Sequence, residues 1–231
     1  RGLGVERADA ALLTNISEDH LGDFGSRNLD ELLDIKWVIS HAVRRDGKLV
    51  LNAEDERLVA KARDYDGTVV WFSLDASNAV VQAHVEAGGT AFVLDGDELV
   101  VLEGAERQSI CRAADIPIAL GGAARHNIAN ALSAAALTHA MGVSVANIAT
   151  GLTTMQQDEN PGRCNIYALD GFRVLIDFAH NPAAMAALFD MARAIPAKRR
   201  VLCFGQAGDR TDELIRELAR DSLERLLRYR T

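Results

Sequence analysis

The sequence predicts an α/β protein built in two units. Three observations predict it: short apolar runs alternate with helix-length amphipathic stretches from Ala10 to Leu152, a polar break ends in Pro161-Gly162, and a shorter strand-and-helix series follows. Strands separated by helices of this length feed a parallel sheet. With 231 residues, 48% of them hydrophobic, the chain can bury a core in each unit. The boundary is placed at residues 158/159, giving units of residues 1–158 and 159–231.

Ala10 to Asn15 reads as a buried strand that delivers the loop Ile16 to Arg27 at its carboxyl end. A helix follows from Asn28, with Asn28 as cap, Glu31 three residues on, and an apolar face of Leu32, Leu33, Ile35, Trp37, Val38 and Ile39. Arg44-Arg45-Asp46-Gly47 reads as a turn. Strands are expected at Lys48 to Ala53, Val69 to Ser73 and Thr90 to Leu94, with helices near Glu54 to Arg63 and Asn78 to Ala87. Asp95-Gly96-Asp97 marks a hairpin into Leu99 to Leu102. Arg125 to Met141 is an alanine-rich helix stopped by Gly142, and a second helix covers Val145 to Leu152. In the second unit the expectations are a hairpin at Asp170-Gly171, a strand at Arg173 to Asp177, a helix after Pro182, a strand at Arg200 to Phe204, and a charged helix from Asp212.

A net charge of −8 argues against a broad surface for nucleic acid or acidic membranes and confines any phosphate site to a local pocket. Cys111, Cys164 and Cys203 lack metal-ligand spacing and read as reduced thiols, which points to the cytoplasm. No apolar run is long enough for a membrane span, and no charged-then-apolar pattern suggests secretion. Arg1-Gly2-Leu3-Gly4 enters a strand without an initiator Met, so further sequence is expected upstream.

Four polar clusters fall at loops or helix starts. In Thr14 to His20, a carboxylate and an imidazole just beyond a strand suit either a divalent ion or simple turn chemistry. In Arg125 to Asn130, Asn127 and Asn130 share one helix face, where two amides can read an adenine edge; Asn127 equally suits an N-cap and Asn130 solvent. Arg163 after Asn160-Pro161-Gly162 suits a phosphate clamp or a solvated side chain. Asp177 to Pro182 places Asp, His and Asn where a strand meets a proline-opened helix, the usual ligand position in α/β folds. Gly205 to Arg210 repeats that arrangement at the next expected strand.

In order, TNISEDHLGDFG, LNAEDE, ARHNIANALSAAAL, NPGR, DFAHNP and GDR resemble the Mur ligase superfamily over Thr14 to Arg210, and the local spellings RGLG, EDHLG and GQAGDRTDE are most similar to its cyanophycin synthetase family. The resemblance implies a P-loop-type Mur ligase central domain followed by a Rossmann-like α/β C-terminal domain. It implies an ATP- and Mg2+-dependent ligase that joins an amino acid or peptide substrate to a carboxylate through an acyl phosphate. For the cyanophycin synthetase family, arginine would be added to aspartate side chains. By motif position, His20 would help bind metal, Asn127 and Asn130 would contact adenine, and Arg163 would reach the phosphates. Asp177 and His180 would frame the ribose and phosphate side, with Asp209 and Arg210 near the incoming amino acid. Lys36 stands where relatives carry a carbamylated lysine beside the second metal; a solvated lysine on an amphipathic helix is the alternative.

The family's P-loop and the Glu that binds metal are absent from these residues, so the 231 residues alone are expected to bind ATP poorly and turn over little. Relatives continue with more strands beyond the GDR helix, a pattern that charged Arg220 to Thr231 does not match. Another Mur-type ligase, acting on a peptidoglycan precursor or folate, and a non-catalytic Mur-like binding domain remain alternatives. Oligomeric state stays open. A dinucleotide-binding oxidoreductase is disfavoured because no G-x-G-x-x-G occurs.

Overall fold

The computed structural model describes residues 4, 6–17, 25–205 and 212–227. Six strands form one sheet in chain order: β1 (Ala8–Leu13), β2 (Val43–Asn52), β3 (Thr68–Ser73), β4 (Thr90–Asp95), β5 (Glu98–Glu103) and β6 (Glu106–Arg112). The first four run parallel, and β5 and β6 add antiparallel hairpins. Helices α1 (Leu29–Trp37), α2 (Glu56–Ala62), α3 (Ala79–Glu86), α4 (Arg125–Ala140) and α5 (Val145–Thr154) cover the sheet.

Period-two alternation sorts the strands onto two faces. Val50, Phe72, Phe92 and Leu99 pack with Ile128 and Leu132 of α4 and Ile148 of α5. Leu49, Leu51, Trp71 and Val93 pack on the opposite face with Leu33 and Trp37 of α1, Leu58 of α2 and Val81 of α3. A parallel sheet with helices on both faces needs such near-continuous apolar strands.

The local expectations meet three corrections here. Arg44 to Gly47 do not end a strand: Ala8 pairs with Val43 and Ala10 with Lys48, so these four residues bulge within β2 opposite Asp9. A Cβ on Gly47 would lie 2.7 Å from the Asp9 carbonyl oxygen, so the bulge needs glycine. Asn28 does cap α1 by accepting from the Glu31 N–H, but the Glu31 carboxylate turns back to the Arg27 N–H at 2.8 Å rather than to the cap residue. In the expected apolar face, Leu32, Leu33 and Trp37 are buried, whereas Ile35, two residues from both Leu33 and Trp37 and so on the other side of α1, is exposed, as is Val38 at the start of the 3₁₀ turn Val38–Ala42.

The second unit has a hairpin of β7 (Asn165–Leu169) and β8 (Phe172–Ile176), then α6 (Pro182–Ala194) and α7 (Asp212–Leu227). Asn181 caps α6 through the Ala184 N–H at 2.8 Å, and Pro182 sits where its missing N–H costs nothing. Met185 and Phe189 of α6 meet Leu218 of α7 around a small core. The strand expected at Arg200 to Phe204 does not form among the described residues. Its backbone has no ladder partner, and Val201 is 77% exposed. No described helix is long and apolar enough to cross a membrane.

Candidate functional site

The carboxyl ends of the parallel strands are held by their own polar residues. Asp55 caps α2 through the Arg57 and Leu58 N–H groups, and its other oxygen accepts the Ile16 N–H at 2.7 Å. The Asn52 amide donates to the Thr14 carbonyl at 3.0 Å. Thus the LNAEDE stretch fixes the path of the loop leaving β1, delivering Asn15 and Ser17 to a cleft. Beside it, the chain from Ile116 to Ala124 coils through left-handed Leu120, Gly121 and Gly122 and delivers the start of α4.

That cleft, about 2220 Å3, lies between the two units. Lys36, Asn127 and Asn130 line it from the first unit; Arg163, Asp177 and His180 line it from the second. These are six of the nine residues singled out from the sequence. His20, Asp209 and Arg210 lie outside the described residues.

Each of the six has a distinct setting. Asn127 is not the N-cap: Ala124 takes that position, and Asn127 is buried one turn in. Its amide donates to the Ile118 carbonyl at 2.7 Å, tying α4 to the coil before it. Asn130 donates to the Asn127 side-chain oxygen at 3.4 Å and is exposed toward the cleft. Lys36 lies in the last turn of α1, while Arg57–Asp30 and Lys61–Asp34 pairs lace α1 to α2 farther along.

Arg163 is exposed, and its guanidinium sits 5.3 Å from the centroid of the Phe178 ring. The turn that carries it is fixed by Asn165, which is buried and accepts the Arg163 N–H at 3.2 Å as well as that of Gly162. Asp177 accepts the Ala179 N–H at 2.7 Å on one oxygen and the Cys164 N–H at 2.9 Å on the other. The His180 Nδ1 lies 2.8 Å from the Phe178 carbonyl, which can only accept, so Nδ1 carries the proton.

Sequence reasoning passed over three residues in this group. Phe178 touches both Arg163 and His180: the guanidinium lies over its ring, and the imidazole is 4.8 Å away, tilted by 59°. The Cys164 thiol lies 3.1 Å from His126 Nε2 and 3.2 Å from Asp177. Burial, reinforced by Asp177, pushes the thiol up to about 12, and burial holds the His126 imidazolium below its ordinary range. Phe178 was legible as the aromatic between two polar residues of a strand-end loop. The Cys164 contacts join positions 38 and 13 residues apart and leave no local signal.

Residues 3–138 match the family model of the Mur ligase middle domain, and residues 162–228 match that of the Mur ligase glutamate ligase domain. The chain belongs to the Mur ligase family. This Mur ligase chain is 35% identical over 214 residues to a cyanophycin synthetase of Nostoc sp., covering 92% of this chain but 24% of that protein. It is 30% identical over 213 residues to the UDP-N-acetylmuramoyl-tripeptide--D-alanyl-D-alanine ligase of Escherichia coli, covering 90% of this chain and 43% of that one. The Mur ligase chain therefore spans about a quarter of the length of its cyanophycin synthetase relatives. Among solved structures, MurF from Acinetobacter baumannii superposes with a TM-score of 0.61 at 20% identity over 82% of this chain and 38% of that chain, a likeness of fold.

Proposed function

We propose that the chain is part of an ATP-dependent ligase that joins an amino acid to a carboxylate, in the manner of a cyanophycin synthetase adding arginine to aspartate side chains. The observation that carries this reading is the convergence of Lys36, Asn130, Arg163, Asp177 and His180, from both units, on one cleft. Similarity to the cyanophycin synthetases supports the choice of substrate. Three free cysteines suit a reducing compartment, the cytoplasm.

The cleft leaves ample room for ATP, and its lining mixes cation, amide and apolar groups. In this reading Asn130 hydrogen-bonds the adenine edge while Asn127 holds the helix start in place. The Arg163 fork pairs with phosphate oxygens, and Phe178 and Asn165 set its direction. Asp177 and His180 border the ribose and phosphate side. A carboxylate oxygen of the acceptor attacks the γ-phosphorus, ADP leaves, and the amino group then attacks the acyl carbon, losing a proton as phosphate departs. Asp209 and Arg210 would orient that amine.

No cluster of three His, Cys, Asp or Glu side chains forms a metal cage among the described residues. In this reading Mg2+ would be held mainly by phosphates and water, with His20 and a carbamylated Lys36 as the protein's contribution. When bound, Mg2+ would neutralise charge on the transferring phosphoryl group.

No G-x-x-x-x-G-K-[ST] loop occurs in the 231 residues, so the β- and γ-phosphates need an anchor from elsewhere in the longer protein. The isolated chain should accordingly turn over little. The test is phosphate release by the full-length protein given ATP, Mg2+, an aspartate-based primer and arginine. Release with arginine supports the reading. Release only with diaminopimelate, D-alanyl-D-alanine or glutamate on their own acceptors reassigns the chain to another Mur-type ligase, and no release with any pair overturns it.

A further inference from the structure

The junction between the two units contains a polar chain of which the proposed chemistry uses only Asp177. His126 Nε2, Cys164 Sγ and Asp177 Oδ2 stand in sequence at 3.1 and 3.2 Å, one from the first turn of α4, one from the linking turn and one from the end of β8. Around them Ala124, Cys164 and Met191 are buried together with Leu120, Leu175 and Leu188. This is the place where the wall bearing Asn127 and Asn130 meets the wall bearing Arg163 and Asp177.

The direction of each hydrogen bond follows from the groups. Cys164 is buried against a carboxylate, so its sulfur keeps its proton and donates to Asp177 Oδ2. The sulfur can then accept from His126, placing the single imidazole proton on Nε2. His126 Nδ1, which is buried without a partner, is left as a bare acceptor. The backbone of Cys164 is held at φ 55, a left-handed conformation rare for a residue with a side chain. Its N–H also donates to Asp177, so both donors of one residue converge on the same carboxylate oxygen.

We infer that Cys164 is a positioning residue, whose thiol fixes the Asp177 carboxylate and ties it through His126 to the start of α4, setting the two walls of the cleft in register. The inference rests on Asp177 facing the nucleotide, as proposed above. A methyl group at this position would fill much of the space but leave Asp177 and His126 unlinked. Glycine would relieve the backbone yet lose the same link. A serine hydroxyl keeps both donor and acceptor.

The experiment compares Cys164→Ser, Cys164→Ala and Cys164→Gly in the full-length protein, reading KM for ATP separately from kcat. Ala and Gly should each raise KM for ATP about ten-fold, the factor expected for one lost hydrogen bond to a charged group, with kcat changed less than about two-fold. Ser should restore KM to within about two-fold of the parent. Equal KM in all four proteins overturns the inference, as does equal impairment of Ser and Ala, which would mark a packing role. The S–H stretch of Cys164, recorded by Raman spectroscopy as the difference between the parent and Cys164→Ser so that Cys111 and Cys203 cancel, reports the link without catalysis. A band shifted down by strong donation, moving up in Asp177→Asn, supports it, and a band at the frequency of a free thiol overturns it. If the parent lacks ligase activity but shows the shifted band, the functional reading fails while the link stands.

Discussion

The two units of this chain are built to different standards. The first is a six-stranded sheet with both faces covered, in which Leu49, Val50, Phe92, Leu99 and Leu132 are fully buried. The second, among its described residues, is a two-stranded hairpin and two helices, with Phe172, Phe178 and Val201 60%, 61% and 77% exposed. Yet each contributes one wall of the same cleft. The first wall is set by dense packing; the second is set by specific hydrogen bonds around Cys164, Asn165 and Asp177. Mutations should therefore act through stability on one side and through ligand geometry on the other.

The largest expected effect lies in the first core. Phe92→Ala should cost about 3–5 kcal/mol in urea denaturation, because it deletes a fully buried ring of β4 that packs against α4. A loss below about 1 kcal/mol would mean that this sheet is looser than its burial implies. On the opposite wall, Arg163→Ala should leave the unfolding midpoint in place and lower kcat/KM for ATP in the full-length protein by about ten- to hundred-fold. An equal fall in stability and activity would break the contrast.

The asparagine pair sharpens it within a single helix. Asn127→Ala strands the Ile118 carbonyl beside a buried helix start and should destabilise by about 1–3 kcal/mol. Asn130→Ala should change ATP affinity while shifting stability by less than about 0.5 kcal/mol. Reversal of those two outcomes would exchange their roles.

Acid should probe both regions at once. Burial lowers the pKa of His84 in the first unit and of His126 at the junction. The unfolded chain then binds more protons than the folded one between each folded value and the ordinary value near 6.5. Their contribution is complete above that range and is lost as pH falls through it. Urea midpoints should decline from pH 7.5 to 5.5, and His84→Gln should flatten the decline. An unchanged slope would show that His84 is not charged at folding's expense. The smallest effect is expected at Val201, where Val201→Thr should alter stability by less than about 0.5 kcal/mol.

What could be read from the sequence follows the same division. Strands β2 to β4 and helix α4 were legible because apolar periodicity and glycine or asparagine punctuation are local signals. Strand β6 was not, since Arg107, Gln108, Ser109 and Arg112 make it a polar edge in which only Ile110 is buried. Arg44 to Gly47 carry turn chemistry, but pairing with β1 continues past them, so the residues bulge instead. Arg200 to Phe204 has strand composition but no ladder partner among the described residues, and composition alone does not supply one. At the site, Arg163, Asp177 and His180 announced themselves by position at strand and helix ends. The links through Cys164 and Asn165 did not, because they depend on which backbone atoms meet in space.

The central claim is that one nucleotide lies between walls from both units. Hydrogen–deuterium exchange of the full-length protein, with and without Mg2+ and a non-hydrolysable ATP analogue, tests it most directly. Slowed exchange at both residues 125–130 and residues 163–180 is the predicted result. Protection confined to one of the two segments, or found instead in the groove between α1 and α2, would contradict it.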